Sequence, residues 1–185
     1  MLYKLISILT IFLLIACQQT PNFAGIDITD SKAFKGQINT RDINNNVFDL
    51  NKFAQKNNTV TLVTFGYTQC PDYCPTTLAK IVQIEKILAN KKDIQVVFIT
   101  IDPQQDTKEI LKEYLNAFNP KYIGISTHKN ELEQIKTNFK VTSSKEQSII
   151  SHTTGMYAID SKAKIRLYLP YNLTSENIAL DIQKL

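Results

Sequence analysis

The sequence predicts an α/β fold in which a sheet is packed against helices. Apolar, β-branched runs at residues 59–65 and 94–101 are typical of buried strands. Between them, over residues 74–90, apolar side chains recur at helical spacing. A strand, a helix and a second strand in this order form a βαβ unit with parallel strands. Periodicity alone therefore indicates an α/β sandwich.

The segment before this unit predicts a β-hairpin. Two short strand-like pieces within residues 36–50 flank the Asn-Asn-Asn triplet at 44–46. Asparagine is favoured in turns because its side chain bonds to nearby backbone and because it tolerates left-handed conformations. We therefore expect an N-terminal hairpin added to the sheet.

The segment after the unit continues the alternation and closes with paired strands and a helix. Asp106 and Glu109 have capping-box spacing, so we predict that Asp106 caps the next helix. The turn Ser161-Lys162 joins the two final strands, and Thr174 is predicted to cap the last helix. The elements predicted between these points are a helix at 107–118, a strand at 122–126, a helix at 130–139 and strands at 155–160 and 164–169.

The turn between the first strand and its helix holds two of the three cysteines. Cys70 and Cys74 are four positions apart, so even partial helical geometry places their Cα atoms about 6 Å from each other. Both sulfurs could reach one metal ion, and the same separation permits a disulfide. A third interpretation is that they are two small buried hydrophobic residues. The spacing alone does not choose between a metal site and a redox pair.

Three stretches of the chain together resemble one family. Residues 65–75, Phe-Gly-Tyr-Thr-Gln-Cys-Pro-Asp-Tyr-Cys-Pro, look like the signature of the SCO/SenC family, copper proteins required to build cytochrome c oxidase. Residues 99–107 resemble the family's next block, and Ser151-His152 lies where the family has its histidine ligand. The resemblance spans residues 26–185 in the right order. It implies a thioredoxin-like sheet flanked by helices, with the N-terminal β-hairpin as an addition.

The resemblance also implies a copper site formed by Cys70, Cys74 and His152. Two thiolates and an imidazole suit Cu(I) and leave room for a fourth ligand on Cu(II). Zinc would accept the same set, so the ligand types do not select the metal, whereas the resemblance favours copper. His152 follows the polar segment 142–148, and we therefore predict that it lies on a mobile loop before the first closing strand.

Two acidic residues are candidates for an outer role at this site. Asp102 ends a strand beside the cysteine turn and could orient His152 or contact a partner. Asp72 lies between the two cysteines and could tune their charge, or could simply be solvated. The second histidine, His128, occupies a position where the family has no ligand, and we expect it to face solvent.

Two positions depart from the pattern seen in many relatives. Gln69 replaces a histidine before the first cysteine, and Ser151 replaces an aspartate before the ligand histidine. The family resemblance assigns a metal-ligand role to neither position. Loss of the aspartate could loosen His152, so the expectation for Cu(II) is weaker than for Cu(I).

The N-terminus predicts export and a lipid anchor. Residues 1–16 carry one lysine followed by an apolar core, which is typical of a signal peptide. Cys17 follows Leu-Ile-Ala, which resembles a bacterial lipobox, so Cys17 would be acylated and residues 17–25 would tether domain 26–185. The alternative is a signal-anchor helix in which Cys17 is incidental. We expect a protein of the bacterial cell envelope on the extracytoplasmic, periplasmic side, held at the inner membrane if its partner is an oxidase.

Charge and motifs narrow the function. The formal net charge is +4 with scattered lysines, which gives no support to nucleic-acid binding. The leading hypothesis is a metallochaperone that delivers copper to the CuA site in cytochrome c oxidase subunit II, or to another extracytoplasmic copper or thiol protein. The alternatives are a thiol-disulfide reductase acting on the oxidase's copper-ligand cysteines, a redox or copper-homeostasis protein, and an envelope interaction module. A thiol peroxidase is disfavoured because its expected motif, Pro-x-x-x-Thr-x-x-Cys, is absent. Thr68 lies two residues before Cys70 rather than three.

Overall fold

The computed structural model describes residues 21–55, 59–146 and 149–185. The predicted signal peptide and Cys17 lie outside these residues. The strands are β1 (Ile26–Asp27), β2 (Asn39–Arg41), β3 (Val47–Asp49), β4 (Val60–Gly66), β5 (Ile94–Thr100), β6 (Ile123–Ile125), β7 (Ser143–Glu146), β8 (Ile149–His152), β9 (Gly155–Ile159) and β10 (Ile165–Pro170). The helices are α1 (Leu50–Ala54), α2 (Tyr73–Leu88), α3 (Lys108–Asn116), α4 (Lys129–Phe139) and α5 (Ser175–Gln183).

Within the described residues, the main sheet has six strands in the order β1-β10-β9-β4-β5-β6. Strands β4, β5 and β6 are parallel, whereas β9 and β10 run antiparallel to their neighbours. The predicted βαβ unit is therefore confirmed, as is the closing hairpin. The boundaries predicted for the central strands and helices agree with those observed to within two residues.

Strand β4 is the centre of the sheet, and all seven of its residues are buried. Successive side chains point to opposite faces, so Leu62 packs with α2, α3 and α5 while Val63 packs with α1 and α4. Because both faces are covered by helices, the strand reads as an unbroken apolar run rather than an alternating one. The carboxyl end of β4 opens directly into the cysteine turn.

The N-terminal hairpin is also confirmed, as a separate two-stranded sheet of β2 and β3. Its turn is organised by the buried Asp42, whose Oδ1 accepts hydrogen bonds from the backbone N–H groups of Asn44 at 2.8 Å and Asn46 at 2.9 Å. Asn45 adopts a left-handed φ of 65°. The triplet thus supplies the conformation that the turn requires.

The segment before His152 is a hairpin, so the loop predicted there is wrong. Strands β7 and β8 pair antiparallel, with Ser143 opposite His152, which is the last residue of β8. Ile150 is buried while Ile149 and Ser151 are exposed. This single inward apolar side chain, within a polar stretch, was too little to indicate a strand.

The helix cap predicted at Asp106 is wrong as well. The N-cap of α3 is Thr107, whose side chain accepts a hydrogen bond from the Ile110 N–H at 3.3 Å. Asp106 is fully buried and bonds elsewhere. Thr174 does cap α5 as predicted, by accepting from the Asn177 N–H at 3.2 Å.

The chain before the hairpin is joined to the sheet by contacts that the sequence did not indicate. Strand β1 pairs with β10, and the buried carboxylate of Asp181 accepts hydrogen bonds from the backbone N–H groups of Ala24 at 3.1 Å and Gly25 at 2.8 Å. Among the residues that the structure covers, no helix has the length and apolar character needed to cross a membrane.

Candidate metal centre

The site begins where β4 ends, at Gly66. A Cβ atom at this position would lie 2.9 Å from the Cys74 sulfur and 2.8 Å from the Phe98 ring. Both distances are shorter than van der Waals contact. The absence of a side chain at Gly66 is therefore what allows Cys74 to pack against the end of the strand.

The two cysteines contact each other across the first turn of α2. The Cys70 N–H donates to the Tyr67 carbonyl at 3.2 Å, which closes the turn after β4. The Cys74 N–H donates to the Cys70 sulfur at 3.3 Å. Asp72, the N-cap, makes no capping hydrogen bond with its side chain. The Cys70 sulfur thus satisfies one of the free N–H groups at the start of the helix.

The two thiols differ in exposure. Cys70 is half-buried, whereas Cys74 is 3% exposed, and both are free thiols. Burial, with a smaller contribution from the neighbouring Cys70 thiol, raises the pKa of Cys74 far above its usual range. At neutral pH the Cys74 thiol therefore carries its proton.

His152 reaches the cysteines from the end of β8. Its Nε2 lies 3.8 Å from the Cys74 sulfur, and its Nδ1 lies 2.8 Å from the Thr153 carbonyl oxygen. Because a carbonyl oxygen only accepts, Nδ1 carries the proton and the Nε2 lone pair faces Cys74. Burial lowers the pKa of His152, which favours the neutral imidazole. A neutral imidazole is the form that binds a metal.

The three predicted ligands form a chain of contacts. Cys70 contacts Cys74, and Cys74 contacts His152. No three Cys, His, Asp or Glu side chains of the described part of the protein are arranged to hold a metal ion as they stand. Binding by all three residues would therefore require their side chains to come closer together.

Tyr67 is a residue of the site that the sequence did not single out. It is buried, and its hydroxyl oxygen accepts a hydrogen bond from the Ile150 N–H at 3.2 Å. Its ring lies edge-on to the His152 ring, with centroids 6.4 Å apart. Tyr67 thus connects the end of β4 to the hairpin that carries His152. Its position within the cysteine motif was the available signal.

Replacing Tyr67 by phenylalanine is expected to lower the free energy of unfolding by about 1 kcal/mol, because the Ile150 N–H loses its partner. Urea denaturation of the metal-free protein measures this change. Tyr73→Phe is the matched control, since Tyr73 lies in the same motif with its side chain exposed. An equal loss in both variants would contradict a specific bond to the hairpin.

The two acidic candidates contact other residues. Asp102 forms an ion pair with Lys145 of β7 at 2.9 Å, with its carboxylate largely buried. Asp72 is exposed and accepts a hydrogen bond from the Thr76 hydroxyl at 3.4 Å. Asp102 thus links the end of β5 to the hairpin that carries His152. The link is the ion pair with Lys145, not a bond to His152.

The remaining positions flagged in the sequence are on the surface. Gln69 and Ser151 are exposed. His128 is exposed at the N-cap of α4, as predicted.

Comparison with known proteins gives consistent relatives. A family model described as SCO1/SenC matches residues 29–185. The SCO2-like protein of Rickettsia prowazekii is 34% identical over 151 residues, which cover 77% of this chain and 72% of that protein.

Solved structures agree with this assignment. Arabidopsis thaliana ScoI with copper bound superposes with a TM-score of 0.75 at 26% identity, covering 82% of this chain and 97% of that one. Bradyrhizobium japonicum ScoI with copper bound gives a TM-score of 0.68 at 29% identity, covering 82% and 99%. Homologous Sco structures have thus been solved with copper, and the predicted thioredoxin-like sheet flanked by helices is confirmed. The chain belongs to the SCO1/SenC family.

Proposed function

We propose that this protein is a copper chaperone that binds Cu(I) through Cys70, Cys74 and His152 and delivers it to the CuA site of cytochrome c oxidase subunit II. The observation that carries the proposal is the 3.8 Å approach of His152 Nε2 to the Cys74 sulfur, beside a second free thiol. Family membership supports the broader role, copper binding in oxidase assembly.

The donor set fits copper as a cargo. Two sulfurs and an imidazole nitrogen are soft to intermediate donors, which favour Cu(I) over Mg²⁺ or Ca²⁺. Binding requires Cys74 to lose the proton that burial keeps on it, so uptake of the ion releases that proton. The half-buried Cys70 leaves one side of the site open. A thiolate of the recipient protein can then bind the copper ion before the last bond between copper and this protein breaks.

The location of the protein follows from the same proposal. Subunit II would meet the chaperone outside the cytoplasm. We therefore retain export by residues 1–16 and acylation of Cys17, with the domain on the periplasmic side of the inner membrane.

A second candidate function is reduction of the oxidase's copper-ligand cysteines. The pairing of an accessible thiol with a buried one favours it. Cys70 would attack the partner's disulfide and release one partner thiol, and Cys74 would then displace the second while forming the Cys70–Cys74 disulfide. The partner gains two electrons and two protons, which an external dithiol must restore to this protein.

His152 separates the two functions. His152→Ala should weaken Cu(I) retention by about tenfold, because one ligand of the three is lost, and should leave the rate of thiol-disulfide exchange unchanged. Competition with a chromophoric Cu(I) chelator under anaerobic conditions measures the first quantity. Exchange with a disulfide-bonded peptide measures the second.

The control is His128→Ala, since His128 is the other histidine and is exposed. It should alter neither quantity. Unchanged copper retention in His152→Ala, together with rapid exchange, would leave the reductase as the better description.

A further inference from the structure

Asp106 is a buried carboxylate directly beside the cysteine turn. Its side chain accepts hydrogen bonds from the Thr68 N–H at 3.0 Å, from the Thr68 hydroxyl at 2.6 Å and from the Thr100 hydroxyl. Its exposed fraction is 0%. Among the described residues, no lysine or arginine forms an ion pair with it. Such a group is costly to bury, and these three bonds compensate for the lost hydration.

The backbone of Asp106 is fixed by the sheet. Its N–H donates to the Asp102 carbonyl at 2.9 Å, and its own carbonyl accepts from the Ser126 hydroxyl at 2.8 Å. Asp102 follows β5 and Ser126 follows β6, so the carboxylate is anchored to two neighbouring strands. It can therefore act as a rigid support.

The Asp106 carboxylate bonds to the turn that carries Cys70. Thr68 lies two residues before Cys70, and the Cys70 N–H bonds to the carbonyl of the residue before Thr68. Two of the three bonds to the carboxylate come from Thr68 itself. Asp106 thus joins the turn to the sheet at Thr68.

We propose that Asp106 is a positioning residue for the copper site, whose carboxylate fixes the turn at Thr68 and so holds the Cys70 thiol against Cys74. The expected effect of Asp106 on copper binding rests on the proposed function. Its effect on the relative position of the two thiols does not, because that effect can be measured without any metal.

Two variants test the position of the turn. Asp106→Asn keeps the shape of the side chain but weakens its bonds, since one amide oxygen cannot accept all three protons. Thr68→Val keeps the buried charge and removes only the hydroxyl bond. Asp181→Asn is the matched control. Asp181 is also a buried carboxylate, 1% exposed, and it accepts hydrogen bonds from the backbone N–H groups of Ala24 and Gly25 rather than from the cysteine turn.

The first measurement is the equilibrium of the Cys70–Cys74 disulfide with dithiothreitol, whose thiols exchange two electrons and two protons with the pair. Asp106→Asn should make this disulfide about tenfold easier to reduce, and Thr68→Val should shift it in the same direction by a smaller factor, because a loosened turn lowers the effective concentration of the two thiols. Cu(I) retention should fall in parallel. Asp181→Asn should lower the urea midpoint and leave both quantities unchanged.

Three outcomes would overturn the inference, and a fourth would separate it from the proposed function. An unchanged disulfide equilibrium in Asp106→Asn overturns it, whatever happens to copper. A shift in Asp106→Asn without one in Thr68→Val would assign the effect to charge and overturn positioning. An equal shift in Asp181→Asn would assign it to general destabilisation. If the parent protein holds no copper but the disulfide shifts as stated, the proposed function fails while the positioning role stands.

Discussion

Cys74→Ala is expected to retain no copper after anaerobic Cu(I) loading and removal of free metal. The Cys74 sulfur is the donor that His152 Nε2 approaches at 3.8 Å, and the backbone N–H of Cys74 bonds to the Cys70 sulfur, so the substitution removes the central donor of the three. Copper per protein, measured by elemental analysis on the desalted sample, gives the result directly. The parent should hold about one ion, as expected for one three-donor site.

The control for Cys74→Ala is Thr77→Ala. Thr77 is buried on the same helix, one turn further on, so truncation disturbs comparable packing without removing a sulfur. It should retain copper like the parent. Equal copper in Cys74→Ala and the parent would mean that the ion binds elsewhere.

Gly66→Ala is expected to damage both the fold and the site. The new methyl group would lie 2.9 Å from the Cys74 sulfur and 2.8 Å from the Phe98 ring, and neither a short buried side chain nor a packed ring can move away easily. We expect a loss of about 1–3 kcal/mol in the free energy of unfolding and a marked loss of copper retention. Urea denaturation and copper analysis of the same preparation measure the two effects.

Gly124→Ala provides the comparison. Gly124 is also a strand glycine, but the atoms that its methyl group would meet, at 2.8 and 3.0 Å, are the ends of the Ile43 and Leu115 side chains. Strain there should affect stability and spare copper. If Gly124→Ala lost copper as severely as Gly66→Ala, the close approach of Gly66 to Cys74 would not be the cause.

The central fold was predictable because its signals are local. Strand β4 is a run of buried β-branched and apolar residues, and helix α2 carries its apolar side chains at helical spacing. Strand β1 has two residues, too few to show any period, and is defined by its pairing with β10. Hairpin β7–β8 buries Ile150 against the core, and apart from the exposed Ile149 its other residues are polar, so its sequence is typical of a loop.

The site was predictable only in part, for the same reason. Cys70 and Cys74 are four residues apart, and local geometry alone brings them into contact. His152 lies 78 residues beyond Cys74, so only the family resemblance indicated it. Asp106 was assigned to the helix that follows it because capping is a local pattern. Its actual partners are Thr100, which is 6 residues earlier, and Thr68, which is 38 residues away.

Copper transfer to a recipient tests the central claim most directly. The Cu(I)-loaded protein would be mixed without oxygen with the reduced soluble CuA domain of an oxidase subunit II, then separated and analysed for copper in each fraction. The proposed chaperone should lose its copper to the CuA domain and recover two free thiols at Cys70 and Cys74. Copper that stays on this protein while the CuA domain binds added Cu(I) normally would contradict delivery.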